Sequence, residues 1–133
     1  MLEGKVAVVT GASRGIGKAT ALALAKEGAH IIAVARTVGA LEALDDDIKA
    51  VSGSAATLVP LDITDFDALD RLGGVIMEKY GKLDILIANA GFLGDITPVS
   101  HLTPKSFDKL MNVNVKSNYR LIRSLDPLLR AAD

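Results

Sequence analysis

Residues 5–17 read KVAVVTGASRGIG, a short apolar run followed at once by a glycine-rich loop. The glycines at positions 11, 15 and 17 follow the spacing G-x-x-x-G-x-G. In such a loop Gly11 permits a tight turn out of a strand, Gly15 lets the backbone approach a pyrophosphate, and Gly17 lets the next helix pack near the strand. The N-terminus of that helix offers free N–H groups and a positive dipole end to phosphates. Between a strand and an alanine-rich helix, this loop predicts a dinucleotide-binding turn, whereas three loop glycines alone would indicate only a turn.

Four apolar runs of strand length alternate with helical patterns along the chain. The runs are residues 5–10 (KVAVVT), 30–35 (HIIAVA), 56–61 (ATLVPL) and 83–88 (LDILIA). Each is apolar nearly throughout, as a parallel strand covered on both faces requires. The alternation predicts right-handed crossovers and a Rossmann-type, doubly wound parallel sheet of four strands in a three-layer α/β/α arrangement, with residues 1–133 forming a single domain.

The segments between the runs carry helical spacing and end signals. Residues 15–27 are rich in alanine, and two further helices are predicted by apolar residues at helical spacing, namely Leu41, Leu44, Ile48 and Val51, then Phe66, Leu69, Leu72 and Ile76. Thr64 and Asp67 stand at capping-box spacing before the third helix. A last helix is predicted to open at Thr103 with Pro104 in its first turn, and Pro127 is expected to kink or end it.

Composition and charge exclude several classes of function. The chain has 15 Lys and Arg against 16 Asp and Glu, and no cysteine, which excludes disulfides, thiolate metal sites and cysteine nucleophiles. With 4% aromatic residues and no clustered basic charge, no nucleic-acid partner is expected. No run approaches the roughly 20 apolar residues of a membrane helix. Because no signal peptide is recognisable either, a soluble, cytoplasmic chain without a membrane partner is expected.

The histidines and the acidic run of the sequence do not predict a metal site. His30 and His101 are isolated in the sequence, and both are expected at the surface. The acidic run at residues 45–47 is expected on a solvated helix face. Neither feature has the spacing of a metal-ligand set.

Four motifs together carry a resemblance that extends over essentially the whole chain. TGASRGIG (residues 10–17) follows the first strand, Asp62 follows the third, the tripeptide NAG (residues 89–91) follows the fourth, and Asn114 lies in the segment MNVNVKSN. In this order and spacing they resemble the motifs of the short-chain dehydrogenase/reductase family. The resemblance implies that the loop wraps the pyrophosphate and adenosine ribose of a nicotinamide dinucleotide through Gly11, Ser13, Arg14, Gly15, Ile16 and Gly17.

The resemblance also implies roles for the other three motifs. These are Asp62 and Ile63 flanking the adenine, Asn89, Ala90 and Gly91 lining the floor beneath the nicotinamide ribose, and Asn114 holding a water in a proton relay. Structural alternatives stay open: Asp62 as a turn residue ahead of the Thr64 cap, the NAG tripeptide as a plain turn, and Asn114 as an exposed helix asparagine. Asn89 and Thr10 are also expected to tie two adjacent strand ends together.

The end of the second strand bears on the choice between NAD and NADP. NAD-binding sites of this fold place an acidic residue there, which binds both ribose hydroxyls. In this chain the strand ends Ala35-Arg36-Thr37, with no carboxylate in reach, and Arg14 is expected beside the same ribose. Two guanidinium groups suit a dianionic 2′-phosphate, which a carboxylate would repel. NADP is therefore predicted over NAD, with Arg36 and Thr37 in its site. The alternative is that both arginines are solvated surface residues.

The resemblance places the family's catalytic serine, tyrosine and lysine beyond a fifth strand, downstream of this chain. No Y-x-x-x-K occurs in the sequence: Tyr80 is followed by Gly81-Lys82, and Tyr119, with Arg123 four residues later, is expected to be a packing residue. The chain is therefore expected to end before that segment and to contain only Asn114 of the catalytic set.

The expected function is that of the cofactor-binding half of an NADP(H)-dependent oxidoreductase acting on a small carbonyl or alcohol substrate. The alternative is a non-catalytic nucleotide-binding or oligomerising module. The apolar fourth strand and the apolar last helix leave surface that something must cover. The resemblance implies that a second copy packs on that helix, giving a homodimer or homotetramer.

Overall fold

Each predicted apolar run contributes a strand to one parallel sheet. The structure is a computed structural model that describes residues 1–132. The strands are β1 (Val6–Thr10), β2 (His30–Ala35), β3 (Thr57–Pro60) and β4 (Ile85–Ile87). They lie in the order β3-β2-β1-β4, and every neighbouring pair is parallel. The predicted four-stranded parallel sheet is confirmed, with β4 at its edge.

Helices alternate with these strands and continue after the last one. They are α1 (Gly15–Lys26), α2 (Val38–Ser52), α3 (Phe66–Tyr80), α4 (Pro104–Met111) and α5 (Ser117–Arg130). A short 3₁₀ turn, Val99–His101, precedes α4, and a π-helical segment, Asn112–Lys116, joins α4 to α5. Within residues 1–132, no helix has both the length and the apolar content needed to cross a bilayer.

Alternate residues of the central strands pack against helices on opposite faces of the sheet. On one face Val9 and Ile31 join a buried cluster with residues of α1 and α2, which are Ala21, Ala25, Leu41, Leu44 and Ile48. On the other face Val8 and Ile32 join a cluster with residues of α3 and α5, which are Leu69, Leu72, Ile76, Leu121, Leu125 and Leu128. Both faces are covered, which explains why these strands are apolar throughout. The fold is the predicted Rossmann-type, three-layer α/β/α architecture.

Two details of the middle helices differ from the predicted ones. Val51 was expected on the apolar face of α2 but is 47% exposed, because it lies in the last turn of the helix, beyond the buried cluster. The residue that caps α3 is Asp65, whose carboxylate accepts a hydrogen bond from the N–H of Ala68 (3.2 Å). The predicted capping box of Thr64 and Asp67 is therefore wrong.

The last helical region begins as predicted, but of the two effects predicted for Pro127, a kink or an end of the helix, the second is wrong. Its cap is Thr103, whose hydroxyl accepts a hydrogen bond from the N–H of Ser106 (3.1 Å). Pro127 does not end α5, which continues to Arg130. Leu125 and Leu128 are buried on either side of the proline, so their packing offsets the one backbone hydrogen bond that proline removes.

Candidate functional site

The carboxyl ends of β1 and β4 lie side by side at one edge of the sheet, at the point where the strand order reverses. In open α/β sheets this is where a ligand crevice forms. The two loops that follow these strands are joined by Thr10, whose hydroxyl accepts hydrogen bonds from the N–H groups of Asn89 and Ala90, each at 3.0 Å. The side-chain amide of Asn89 donates back to the carbonyl of Gly11 (3.3 Å). The predicted tie between the two strand ends is confirmed.

The glycine loop has the backbone that its sequence predicts. Gly11 and Gly15 adopt φ angles of 62° and 59°, a region that residues with side chains rarely occupy. A Cβ atom on Gly17 would overlap the carbonyl oxygen of Gly11, so only glycine allows α1 to begin this close to β1. In the part of the chain that the structure describes, no side-chain hydrogen bond caps the first turn of α1. Its N–H groups are therefore available to an anion, as the sequence suggested.

The remaining predicted residues of the loop differ in exposure. Arg14 and Ile16 are exposed, and Ser13 is half-buried. Ile16 is 77% exposed, which is unusual for an aliphatic side chain and leaves an apolar surface at the start of α1. After β2, both Arg36 and Thr37 are exposed at the same edge of the sheet. Among the described residues, Arg36 lines the groove beside β3, whereas Arg14 does not.

Asp62, after β3, is part of a turn and also faces this groove. Thr64 donates two hydrogen bonds to Oδ1 of Asp62, from its N–H (2.9 Å) and from its hydroxyl (2.7 Å). These bonds, followed by the charges of Arg36 and Lys109, hold the pKa of Asp62 below its usual value. The turn interpretation is thus correct for one carboxylate oxygen. Within residues 1–132, no hydrogen bond occupies Oδ2, and Ile63 beside it is half-buried.

The groove has a volume of about 580 Å³ and runs between the loop after β3 and helix α4. Besides Arg36, Asp62 and Thr64, it is lined by Lys105, Asp108, Lys109, Asn112 and Val113. Three cations thus face two carboxylates, and the groove carries a net positive charge. The sequence did not predict this α4 wall, although the i,i+4 spacing of the two lysines placed them on one face of the helix.

Asn114 lies in the π-helical segment and is engaged with the loop that follows β4. Its Oδ1 accepts a hydrogen bond from the N–H of Phe92 (2.9 Å), and its Nδ2 donates to the carbonyl of Phe92 (2.7 Å). The side chain is half-buried, so the alternative of an exposed helix asparagine is wrong. Gly91 lies against it, since a Cβ there would be 3.3 Å from Asn114 Oδ1. A π-helical turn inside a helix often marks a functional position.

The other singled-out side chains lie outside this site. His30 is half-buried and not a surface residue: its Nε2 is 2.8 Å from the hydroxyl of Thr57 and 2.9 Å from that of Tyr80. These residues begin β2, begin β3 and end α3, so they meet at the opposite end of the sheet. Tyr119 was expected to pack, but its side chain points outward from α5 and the residue is 58% exposed. In the described part of the chain no three His, Asp or Glu side chains are grouped to hold a metal ion.

Comparisons of the sequence and of the structure with known proteins agree on one family. The sequence profile described as short chain dehydrogenase matches residues 5–133. Versicolorin reductase stcU of Emericella nidulans is 40% identical over 123 residues, which are 92% of this chain and 46% of that protein. The chain spans about half the length of the relatives it matches.

Solved structures share the same architecture. A metagenomic short-chain oxidoreductase in complex with NADP superposes with a TM-score of 0.90 at 38% identity, over 96% of this chain and 57% of the other. The oxidoreductase yciK from E. coli superposes with a TM-score of 0.93 at 33% identity, over 99% of this chain and 55% of the yciK chain. With the glycine loop, the switch-point crevice and the profile match in agreement, this chain belongs to the short-chain dehydrogenase family.

Proposed function

We propose that this chain is the nucleotide-binding half of an NADP(H)-dependent oxidoreductase. The observation that carries the proposal is the pair of loops joined at the switch point, where Thr10 holds the loop after β4 beside the glycine loop. This arrangement leaves the uncapped first turn of α1 open to a pyrophosphate. When bound, the nicotinamide supplies or accepts a hydride at a carbonyl or alcohol carbon of the substrate.

The glycine loop and its neighbours divide the binding of the dinucleotide among them. Backbone N–H groups of the loop and of the first turn of α1 would hold the pyrophosphate, with Gly11, Ser13, Arg14, Gly15, Ile16 and Gly17 as the contacting positions. Asp62 would accept a hydrogen bond from the adenine amino group through Oδ2, since Oδ1 is occupied by Thr64. Ile63 would cover one side of the adenine. Asn89, Ala90 and Gly91 would support the nicotinamide ribose.

The preference for NADP rests on charge at the end of β2. Arg36 and Thr37 are exposed there, and the carboxylate of Asp62, which shares the groove with Arg36, is stabilised by the hydrogen bonds of Thr64 and by the charge of Arg36. A guanidinium at this position suits a 2′-phosphate and offers nothing specific to two ribose hydroxyls. The NADP-bound metagenomic relative supports the same choice. Arg14, exposed on the glycine loop, would contribute a second guanidinium.

Catalysis would require residues that follow this chain. We propose that a fifth strand, a serine and a Y-x-x-x-K segment lie downstream of residue 133, so that the domain is completed by them. Asn114 would support the proton relay, acting next to the loop that it fixes through Phe92. A cytoplasmic location stays a prediction of the sequence.

The outer face of α4, the π-helical segment and α5 supports a homo-oligomer. Five apolar side chains recur there every three or four residues and are each 41–58% exposed, namely Phe107, Met111, Val115, Tyr119 and Ile122. A contiguous apolar stripe of this kind marks an interaction surface. We propose that a second copy covers it in a homodimer or homotetramer, which would also bury Tyr119.

The test is to read the native gene beyond residue 133 and to assay the full-length protein. A strand, a serine and Y-x-x-x-K should follow, and NADPH should be oxidised with a carbonyl substrate faster than NADH. Replacement of the downstream tyrosine by phenylalanine should abolish turnover and leave NADP binding intact. A stop codon directly after residue 133, or NADP binding without any turnover over a broad carbonyl panel, would instead favour a binding-only module.

A further inference from the structure

Helix α4 brings a cation, Lys109, to the same groove as Arg36 and Asp62. Arg36 follows β2, Asp62 follows β3, and Lys109 lies in the last full turn of α4, so three separate elements meet in this groove. The lysine ammonium and the arginine guanidinium therefore approach from different walls. A dianion that enters the groove can be contacted from two directions.

The side chain of Lys109 is held in place by an aromatic ring. Its Nζ lies 4.1 Å from the centroid of the Phe92 ring, well within the range of a cation–π interaction. The backbone of Phe92 is itself fixed by Asn114, which accepts a hydrogen bond from its N–H and donates one to its carbonyl. Loss of side-chain freedom has thus already occurred before any ligand binds, and this lowers the entropic cost of using Lys109 for recognition.

The positive charge of the groove is only partly offset by the carboxylates of Asp62 and Asp108, which line it as well. Within residues 1–132, neither Arg36 nor Lys109 forms an ion pair with Asp62 or any other carboxylate. Both are nevertheless near enough to Asp62 to stabilise its ionised form, although less than the hydrogen bonds from Thr64 do. With Lys105 and Asp108 included, three cations face two carboxylates in the groove, which leaves an excess of positive potential for an incoming anion.

We propose that Lys109 is a specificity-determining residue that binds the 2′-phosphate of the cofactor together with Arg36. The inference rests on the proposed cofactor site and extends it to a residue of α4. The phosphate would lie between the guanidinium and the ammonium, and Asp62 would remain available to the adenine through Oδ2. Discrimination against an unphosphorylated ribose would then come from two walls of the groove and not from the end of β2 alone.

The experiment compares two probes on the full-length protein, adenosine 2′,5′-bisphosphate and adenosine 5′-monophosphate, by calorimetric titration. Lys109→Gln should weaken binding of the bisphosphate by about 10-fold, the loss expected for one charge-assisted hydrogen bond. Binding of the monophosphate should change less than about twofold, because its adenine and ribose contacts are retained. Lys109→Arg should keep most of the preference, since the charge and a donor remain.

A matched control is Lys116→Gln, which removes the same charge from the same helical region. Lys116 also holds its ammonium over a ring, that of Phe66 at 4.8 Å, but it does not line the groove. Its loss should leave the ratio of the two affinities unchanged. An equal loss of both affinities in Lys109→Gln, or no loss, would overturn the role of Lys109 while the wild type still prefers the bisphosphate. A wild type without that preference would overturn the NADP proposal itself.

Discussion

The hydroxyl oxygen of Thr10 lies 3.0 Å from the backbone nitrogen of Asn89, and it holds the ends of two strands that are far apart in sequence at a common edge. The same oxygen accepts a second hydrogen bond from Ala90 and donates one to the carbonyl of Ile87 (3.5 Å). Thr10 is 1% exposed, so no water can replace these bonds readily. One buried hydroxyl therefore fixes the width of the crevice between the glycine loop and the loop after β4.

Thr10→Val should destabilise the protein although valine has nearly the same shape. It leaves the N–H groups of Asn89 and Ala90 without an acceptor, at a cost of about 2 to 4 kcal/mol. Thr10→Ser keeps the hydroxyl and loses one buried methyl group, which costs about 1 kcal/mol. Urea unfolding measures both values. Equal stability of the two variants would show that the hydroxyl does not hold the loop.

Replacing either of two adjacent glycines in α3 by alanine should change the stability of the protein in opposite directions. A Cβ on Gly73 would overlap the carbonyl oxygen of Ser124 in α5, whereas a Cβ on Gly74 would meet nothing within 4 Å. Gly73→Ala should therefore force α3 and α5 apart and cost about 1 to 3 kcal/mol. Gly74→Ala should stabilise the helix by about 0.5 to 1 kcal/mol, because alanine restricts the unfolded chain. Thermal unfolding of both variants checks the pair, and a similar Tm change for both would contradict the packing argument.

His30 should make stability depend on pH in the mildly acidic range. Burial, and then the charge of Lys79, lower the pKa of His30 below its ordinary value of 6.5. The unfolded state therefore binds the proton more readily than the folded state, so stability is fully present above about pH 6.5 and is lost as the pH falls through the lower folded pKa. His30→Gln keeps a polar group near Thr57 and Tyr80 and should flatten this dependence. Urea midpoints at several pH values for both proteins test it, and parallel curves would exclude His30 as the cause.

Much of the fold could be predicted from the sequence because the determining signals are local. The apolar runs that become β1 and β2 are buried on both sides, and the glycine loop fixes where α1 begins. The error at the start of α3 has a clear cause. Thr64 and Asp65 could each have capped that helix. The turn at Asp62 holds Thr64 through its N–H and its hydroxyl, and the cap is Asp65, which accepts from Ala68. Competition between equivalent local partners cannot be settled from spacing alone.

What could not be predicted depends on contacts between distant segments. The groove wall formed by Lys109 exists because α4 returns to the loop after β3, and no local pattern announces that approach. The contact of His30 with Tyr80 likewise joins residues 50 positions apart. The π-helical segment around Asn114 has no sequence signal either, since its five residues read as ordinary helix. Tertiary packing decides each of these features.

The cofactor preference gives a prediction centred on Arg36. Arg36→Asp should lower the preference for NADP over NAD by about 10-fold or more, since a charge-assisted contact to the phosphate is lost and the carboxylate repels it. Arg36→Gln is the control: it should weaken NADP binding without improving NAD binding, because it cannot accept from both ribose hydroxyls as a carboxylate does. Fluorescence titration of both cofactors on the full-length protein gives the ratio. An unchanged ratio would remove Arg36 from the 2′-phosphate site.

The last prediction concerns Asn114, whose loss should affect turnover much more than binding of the adenosine end of the cofactor. Its side chain holds the backbone of Phe92 through one accepted and one donated hydrogen bond, and it does not line the groove beside Asp62. Asn114→Ala should therefore free the loop after β4 and reduce turnover of the full-length enzyme by about 10-fold or more, the loss expected when a positioned loop is displaced. Binding of adenosine 2′,5′-bisphosphate should weaken much less than in Lys109→Gln, because Lys109 keeps its charge and loses only part of its positioning.

Asn118 supplies the matched control for this substitution. Its side chain donates to the carbonyl of Asn114 (3.0 Å) and, within residues 1–132, forms no hydrogen bond with Phe92. Asn118→Ala should therefore keep the Phe92 amide protected from hydrogen exchange, whereas Asn114→Ala should speed that exchange. If both variants lose turnover while the Phe92 amide stays equally protected, Asn114 acts through its own backbone and the loop is not involved. If Asn114→Ala weakens bisphosphate binding as much as Lys109→Gln does, the two ends of the site are not separable, and the Phe92 ring, 4.1 Å from the Lys109 ammonium, is the contact that couples them.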